Sequence, residues 1–290
     1  IKEKHPRTGS QYHVWPTYDF ENAMMDGFMG ITHRLRSKEF ELRNKVQQHI
    51  QQLLGYTPTK IVEFARFNME GVESSGRIIR EKIEKGELLG WDDPSLTTLQ
   101  ALRRRGFTPE AIKEFVLSTG ISKAGGVLSW DDLYAKNRSV LDPITKRYFF
   151  VANPKKLTIK NAKPQKAHLP CHPQKEMGSR EMNTDNEFYV EDRVEKGMFR
   201  FMHLYNFKDL AYHSDPYDPK LQAKLVHWLP VHEKLVDIEV LMPDKTVQKG
   251  VGEPAIKKIK IGEVIQFERK FFCRLDRKEG ETYVFYCTHP

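Results

Sequence analysis

GWDDPSLTTLQALRRRGFTPEAIKEF, Gly90–Phe115, combines a tight turn, a basic triplet and a well-marked helix start. WDDP, Trp91–Pro94, is a turn by composition. Arg103, Arg104 and Arg105 lie between Leu102 and Gly106, and by themselves read as a solvated helix face. The next helix opens with Thr108 as N-cap, Pro109 in the first position and Glu110 in the first turn. Its period points Ile112, Phe115 and Val116 inward.

Upstream, the chain reads as helical. Met24, Phe28, Ile31 and Leu35 recur at helical spacing from Phe20, which predicts one apolar stripe. Leu42, Val46, Ile50 and Leu53 form a second, ending at Gly55. KIVEF, 60–64, is a short β-prone run. GVESSGR, 71–77, is a loop of small residues opening a helix over 77–85, with Gly86 as its stop. Loops of this kind hold phosphates, although this one contains no lysine.

Downstream of residue 150 the texture changes. RYFFV, KLTI, EFYV, DIEVLM, EVIQF and TYVFYC are short β-prone pieces separated by Pro, Gly, Asn and Asp, which predicts a sandwich or barrel. Residues 151–180 carry Lys155, Lys156, Lys160, Lys163, Lys166, Lys175 and Arg180 against the single acid Glu176. Such a run is usually a solvated surface. On a barrel with aromatics nearby it also suits a nucleic-acid groove.

The 290 residues admit two domains or three small ones. The composition, 39% hydrophobic and 30% charged, is that of a globular chain. No run of eighteen apolar residues occurs, so no membrane span is expected. IKEKHPRTGS, 1–10, has no signal-peptide core, and its first residue is Ile1, so the chain reads as part of a longer protein. A net charge of +8 points toward an acidic partner such as nucleic acid or a lipid surface. Cys171, Cys273 and Cys287 show no CxxC spacing, which predicts a reducing compartment without disulfides or a cysteine zinc site. Cys171-His172 supplies two of the four ligands zinc would need, so no protein-bound metal is predicted.

Several blocks occur together and in order: YDFENAMMDGFMGITHRLRSKEF (18–40), EFARFNMEGVESSGRII (63–79), the opening stretch, HPQKEMGSR (172–180), VHWLP (226–230) and GEPAIKKIKIGEVIQFERKFFCRLD (252–276). The set resembles the glutamyl- and glutaminyl-tRNA synthetases of the archaeal and eukaryotic kind, over nearly the whole chain. WDDP followed by LRRRG is its most specific element. The resemblance implies a multidomain α/β plus all-β protein. Residues 1–90 would form the second half of a class I Rossmann catalytic core, 91–150 a helical connecting domain, and 151–290 an anticodon-binding domain of two antiparallel β-barrels. No HxGH occurs in the sequence, so the family's HIGH half would lie upstream, and this portion alone would be inactive.

The resemblance also assigns residues. Tyr18 and Asp19 end the β-prone stretch HVWPTYDF before a helix; strand ends carry ligands in α/β folds, and the plainer alternative makes Tyr18 core and Asp19 a cap. By resemblance Tyr18 helps form the amino-acid pocket. Arg36 alone reads as a surface arginine on a helix. It falls where glutamyl enzymes have arginine and glutaminyl enzymes a small neutral residue. A guanidinium meets a γ-carboxylate by two charge-assisted hydrogen bonds and mispairs with an amide. ESSGR, 73–77, falls on the KMSKS loop, with Glu73 and Gly76 at the two lysine positions. Ser74, Ser75 and Gly76 would then approach phosphate, with Arg77 supplying the catalytic charge and Arg80 next in line. The arginine triplet would touch tRNA phosphates. Arg180, Gln266 and Arg269 would read anticodon bases, and Lys220 and Lys224 would hold anticodon-loop phosphates. His227 and Trp228 read as barrel core.

The implied activity is that of a cytoplasmic glutamate–tRNA ligase using ATP with Mg2+. Its partners would be glutamate and the tRNA for glutamate. The sequence leaves open whether the tRNA for glutamine is also charged and handed to a tRNA-dependent amidotransferase. Two alternatives stand beside it: a glutaminyl-tRNA synthetase, against which Arg36 argues, and a non-catalytic tRNA-binding module, which the lysine-less loop favours.

Overall fold

The computed structural model describes residues 3–191 and 194–290. In chain order its elements begin α1 (Tyr18–Phe28), β1 (His33–Ser37), α2 (Asn44–Leu53), β2 (Lys60–Phe64), β3 (Phe67–Met69), α3 (Gly76–Glu84), α4 (Leu99–Arg105), α5 (Pro109–Ser118), β4 (Gly126–Leu128) and α6 (Trp130–Leu141). Contacts divide the chain into two units, Ile1–Glu70 with Val116–Ser129, and Gly71–Phe115 with Trp130–Pro290. No helix among the described residues is long and apolar enough to cross a membrane.

In the first unit β1 and β2 pair in parallel, Arg36 opposite Glu63, with α2 in the connection. Parallel neighbours need such a crossover, and this one is a βαβ unit. The expected stripe from Phe20 to Leu35 is therefore not one helix. Gly30, at φ +68°, lies just past the end of α1, and Leu35 belongs to β1. The stripe on α2 is also reversed: Leu42 just before the helix is 93% exposed, Val46 and Leu53 are exposed too, while Gln47 and Gln51 are buried. Sequence period identifies an apolar face but not what covers it. A second parallel pair joins β3 to β4.

The second unit explains the Gly90–Phe115 stretch. Asp93 turns the chain by accepting the N–H groups of Leu89 and Ser95, each at 3.0 Å. Thr98 caps α4, its Oγ1 accepting the Ala101 N–H at 3.0 Å. Gly106 ends that helix at φ +101°, and a Cβ there would stand 2.9 Å from Thr288 Oγ1 and 3.0 Å from Val264 Cγ2. Only glycine permits both the left-handed backbone and this approach. Thr108 caps α5 as expected, Oγ1 accepting the Ala111 N–H at 3.2 Å. Phe115 is buried, but Val116 is 59% exposed and does not face inward.

The remaining elements are strands: β5 (Arg147–Tyr148), β6 (Phe150–Ala152), β7 (Lys155–Thr158), β8 (Gln165–Pro170), β9 (Ser179–Thr184), β10 (Glu187–Val190), β11 (Met198–Phe201), β12 (Asn206–Lys208), β13 (Ala211–Ser214), β14 (Lys224–Val226), β15 (Leu229–Pro230), β16 (Val236–Leu241), β17 (Val247–Gly252), β18 (Val264–Phe267), β19 (Phe271–Glu279) and β20 (Thr282–His289). The largest sheet runs β5-β18-β19-β20-β16-β17-β6. Its two edges, β5 and β6, are separated by Phe149 alone, so one stretch of chain closes the sheet on itself. The texture change near residue 150 falls on this stretch. Strand alternation sends Tyr148, Phe150 and Ala152 into the core of the closed sheet, and Phe149 and Val151 into a second core.

That second core is covered by a three-stranded sheet (β15-β10-β7), a four-stranded sheet (β13-β12-β11-β14) and the β8–β9 pair. Phe188, Phe201, Tyr205, Phe207 and Trp228 fill it. The expected purely antiparallel pairing does not hold: β5–β18, β16–β20 and β11–β14 pair in parallel. These partners are distant in sequence, so long connections replace hairpins.

Candidate functional site

Three groups of expected site residues take shape, one in the first unit and two in the second. In the first unit Tyr18 and Asp19 do not sit at a strand end. They open α1, after Thr17 at its N-cap, and Tyr18 is exposed. Arg36 is on strand β1, not on a helix, and is 8% exposed. Its Nη1 donates to Gln47 Oε1 at 2.7 Å and Asn44 Oδ1 at 3.2 Å, and the guanidinium lies 4.8 Å from the centre of the Phe40 ring. Gln47 Nε2 donates to Asp19 Oδ1 at 2.8 Å, and Asn44 Nδ2 to Glu63 Oε1 at 2.6 Å.

Burial pulls the Arg36 pKa below its usual range, and the neighbouring Arg34 adds to this. Asp19, Tyr18 and Glu63 oppose the drop. Arg34 is tied to Asp26 and Gln47. Among the described residues, both side-chain hydrogen bonds of Arg36 leave from Nη1, so its other nitrogens remain to donate to an oxyanion. A fixed guanidinium with one edge open is what recognition of a carboxylate requires.

In the second unit the Gly71–Arg77 loop leads into α3, with Ser75 at the N-cap. Gly71 adopts φ +69°. The first amides of a helix have no intrahelical acceptor, and the first turn of α3 contains no acid. Arg77 and Arg80 are exposed; Arg77 Nε lies 3.7 Å from Glu81 Oε1, one turn along. Glu73 turns its carboxylate inward and accepts the Ser75 N–H at 2.7 Å. Glu73 thus satisfies one of the loop's own amides.

The arginine triplet separates into three roles. Arg105 is 0% exposed and donates to the carbonyls of Pro94 (3.3 Å), Cys287 (3.3 Å) and Thr288 (2.7 Å). Arg104 forms a two-pronged contact with Asp276 at 2.9 Å and also reaches Asp92 at 2.9 Å. Only Arg103 is exposed. The solvated face and the uniform phosphate-contact role both fail for Arg104 and Arg105. WDDP and LRRRG occur together because Asp92 and Pro94 are acceptors for these two arginines.

Between the two strand cores lies a polar cluster. Arg180, on β9, is 7% exposed. Its Nε lies 2.5 Å from Glu253 Oε1, Nη1 donates to Pro170 O at 2.5 Å, and Nη2 is 3.6 Å from Glu268 Oε2. Buried and paired in this way, Arg180 is not the exposed strand-end group that a direct base reader would be. Gln266 lies on β18, and its Oε1 is buried without a hydrogen-bond partner among the described residues, as is Glu268 Oε2. Glu268 and Arg269 form the turn into β19; Arg269 is exposed and holds φ +60°, unusual outside glycine. Arg269, Lys270, His227, Leu225 and Glu191 line a cavity of about 250 Å³. Burial depresses His227 to about 4. Trp228 is core, its indole N–H donating to Met202 O at 2.9 Å. Lys220, in the short turn Pro219–Leu221, and Lys224, on β14, are exposed.

Sequence reasoning missed Gln47, Glu253 and Glu268. Gln47 had a signal, since Gln47 and Gln51 share one face of α2, but glutamines on a helix ordinarily face water. Glu268 lies inside QFER and Glu253 inside GEPAIKK, yet nothing in either stretch marks a buried acid.

Comparison with known proteins converges on one group. Residues 1–143 match the model of the catalytic domain of tRNA synthetases class I (E and Q), and residues 145–222 and 225–276 match two models of the anti-codon binding domain of the same synthetases. The chain is 38% identical to a glutamate–tRNA ligase of Methanocaldococcus jannaschii, over 99% of this chain and 54% of that protein. The ligase of Methanothermobacter thermautotrophicus is 36% identical over 100% and 54%, and that of Pyrococcus abyssi 38% over 98% and 53%. The chain therefore spans about half the length of the curated relatives it matches.

Proposed function

The chain belongs to the class I tRNA synthetases for glutamate and glutamine, and from that premise we propose that it is part of a glutamate–tRNA ligase. In this reading ATP activates glutamate, and the glutamyl group passes to the terminal ribose of tRNA. The chain's two halves would supply the second half of the Rossmann catalytic core and a pair of anticodon-binding barrels, joined by the helical segment 91–150. The exposure of Phe28, Leu35, Leu42, Val46 and Leu53 supports a larger catalytic fold in the full-length protein, since so many large apolar side chains in one small unit are ordinarily covered.

One observation carries the substrate assignment: Arg36 is buried and anchored through Nη1, and its other nitrogens make no hydrogen bond among the described residues. In this reading Tyr18 would help form the amino-acid pocket beside Arg36. The γ-carboxylate of glutamate takes the two donors that an amide would mispair with. ATP, with its Mg2+, would meet Ser74, Ser75, Gly76 and Arg77. The absence of acids from the first turn of α3 and the exposure of Arg77 suit a polyphosphate. Gln266 and Arg269, with Lys220 and Lys224, would engage the anticodon loop of tRNA for glutamate in the cytoplasm, with the buried Arg180 supporting them from behind. Charging of tRNA for glutamine, with onward transfer to an amidotransferase, is compatible with the same residues.

The contact of Glu73 with the Ser75 amide favours a second reading, a tRNA-binding module with weakened chemistry. Aminoacylation by the full-length protein separates the two: ATP-dependent glutamyl-tRNA formation supports the ligase, and tRNA binding without it supports the module.

A further inference from the structure

Glu253 has no role in the reading above, yet it is the most enclosed acid of the polar cluster, 1% exposed. It follows β17 and precedes the short helical turn Pro254–Lys258. Its Oε2 accepts the Phe149 N–H at 2.9 Å, and its own N–H donates to Phe149 O at 3.3 Å. This double link fixes the carboxylate to the one stretch of chain shared by both cores. Its Oε1 then faces Arg180 Nε at 2.5 Å. The guanidinium lies between the Tyr148 and Phe149 rings, 5.6 and 5.5 Å from their centres.

A buried ion pair is a poor source of stability, because desolvation cancels most of the attraction. Its usual benefit is a fixed geometry. Here the geometry extends outward: with Nε held by Glu253 and Nη1 by Pro170, the third nitrogen, Nη2, faces Glu268 at 3.6 Å. Glu268 Oε1 is in turn 3.6 Å from His203 Nε2. Glu268 directly precedes Arg269, whose left-handed backbone needs support from its neighbours. Arg180 Nε and Nη2, Glu253 Oε1, Glu268 Oε2 and Gln266 Oε1 are all buried without hydrogen-bond partners among the described residues, so Arg180 and Glu253 meet as a close ion pair. Such groups are costly unless something completes them.

We propose that Glu253 is a positioning residue for tRNA recognition: it fixes Arg180, and through Arg180 and Glu268 it sets the turn that presents Arg269. The inference rests on the reading that Arg180 and Arg269 serve the anticodon loop. Glu253 touches no tRNA itself. Glu253→Gln keeps the shape and the acceptor for the Phe149 N–H while removing the charge that holds Arg180.

The test is aminoacylation kinetics of the full-length protein with the tRNA for glutamate. Glu253→Gln is expected to raise the KM for tRNA about tenfold, with kcat and the KM values for ATP and glutamate changed less than about twofold. Combined with Arg180→Ala, it adds nothing to the effect of Arg180→Ala alone, because both act through one group. Glu253→Asp, which keeps the charge but shortens the reach, gives an intermediate KM and serves if the glutamine variant does not fold. An unchanged tRNA KM in a folded Glu253 variant overturns the inference, as does a fully multiplicative double variant. A general loss across all three substrates also overturns it, since that marks a purely structural role. If Arg180→Ala and Arg269→Ala leave the tRNA KM unchanged, the anticodon reading itself fails, a different result from a silent Glu253.

Discussion

Gln47 Oε1 accepts the Nη1 hydrogen of Arg36 at 2.7 Å, while the same side chain donates through Nε2 to Asp19 Oδ1 at 2.8 Å. One buried glutamine thus sets the angle of the arginine and links it to the start of α1. Replacing it with leucine leaves Arg36 Nη1 with only the longer bond to Asn44 and removes a donor from Asp19 Oδ1, at about 1–3 kcal/mol. In the full-length protein Gln47→Leu is expected to raise the KM for glutamate about tenfold and leave the KM for tRNA unchanged. Steady-state kinetics with each substrate varied in turn checks this.

The lysine-less loop makes a prediction in two parts. Arg77 is the exposed cation at the start of α3, so Arg77→Ala is expected to slow ATP-dependent activation by about 10–100-fold. Glu73 sequesters the Ser75 amide and adds negative charge, so Glu73→Ala is expected to lower the KM for ATP. Single-turnover aminoacylation measures both. A wild-type rate for Arg77→Ala removes Arg77 from the phosphate site.

On the tRNA side, Arg269→Ala is expected to raise the KM for tRNA while leaving that for ATP unchanged. Arg103→Ala is expected to weaken tRNA binding mildly and reduce its salt dependence, because Arg103 is the exposed member of its triplet. Binding measured across a salt series separates a phosphate contact from a base contact. By contrast Arg105→Met is a stability variant: it strips several carbonyls of their buried donor, and a loss of about 3 kcal/mol is expected in thermal or denaturant unfolding.

Stability is expected to fall in mild acid. His289 is fully buried among Phe107, Tyr134 and Phe272, and burial lowers its pKa to about 4. The unfolded chain takes up this proton near pH 6.5, the native one only near pH 4. The contribution is therefore present above pH 6.5 and is lost as pH falls toward 4, reaching about 2 kcal/mol at pH 5. His227 acts in the same direction. The gap between melting curves at pH 7.5 and 5 should narrow in the His289→Gln variant, leaving the share that His227 contributes.

The parts of the molecule legible in sequence were those with local causes. Thr108 as a cap needs only its own neighbours, and the β-prone pieces from RYFFV to TYVFYC all became strands because alternation is a local property. The rest depended on partners. THRLR looked helical until KIVEF supplied a parallel neighbour, and Arg36 thereby moved from a surface helix to a buried strand. Arg104 and Arg105 looked solvated because their acceptors lie on Asp276, Cys287 and Thr288, more than 170 residues away. Arg180 looked exposed for the same reason: Glu253 and Glu268 reach it only once both strand cores are built.

The most direct test of the assignment to glutamate is the ratio of kcat/KM for glutamate to that for glutamine, measured by aminoacylation with the full-length protein and its Arg36→Cys variant. The intact protein is expected to favour glutamate, and the variant to lose about 100-fold of that preference, close to 3 kcal/mol of discrimination. An unchanged ratio in a folded, tRNA-binding variant would contradict the assignment of Arg36 as the group that selects the substrate.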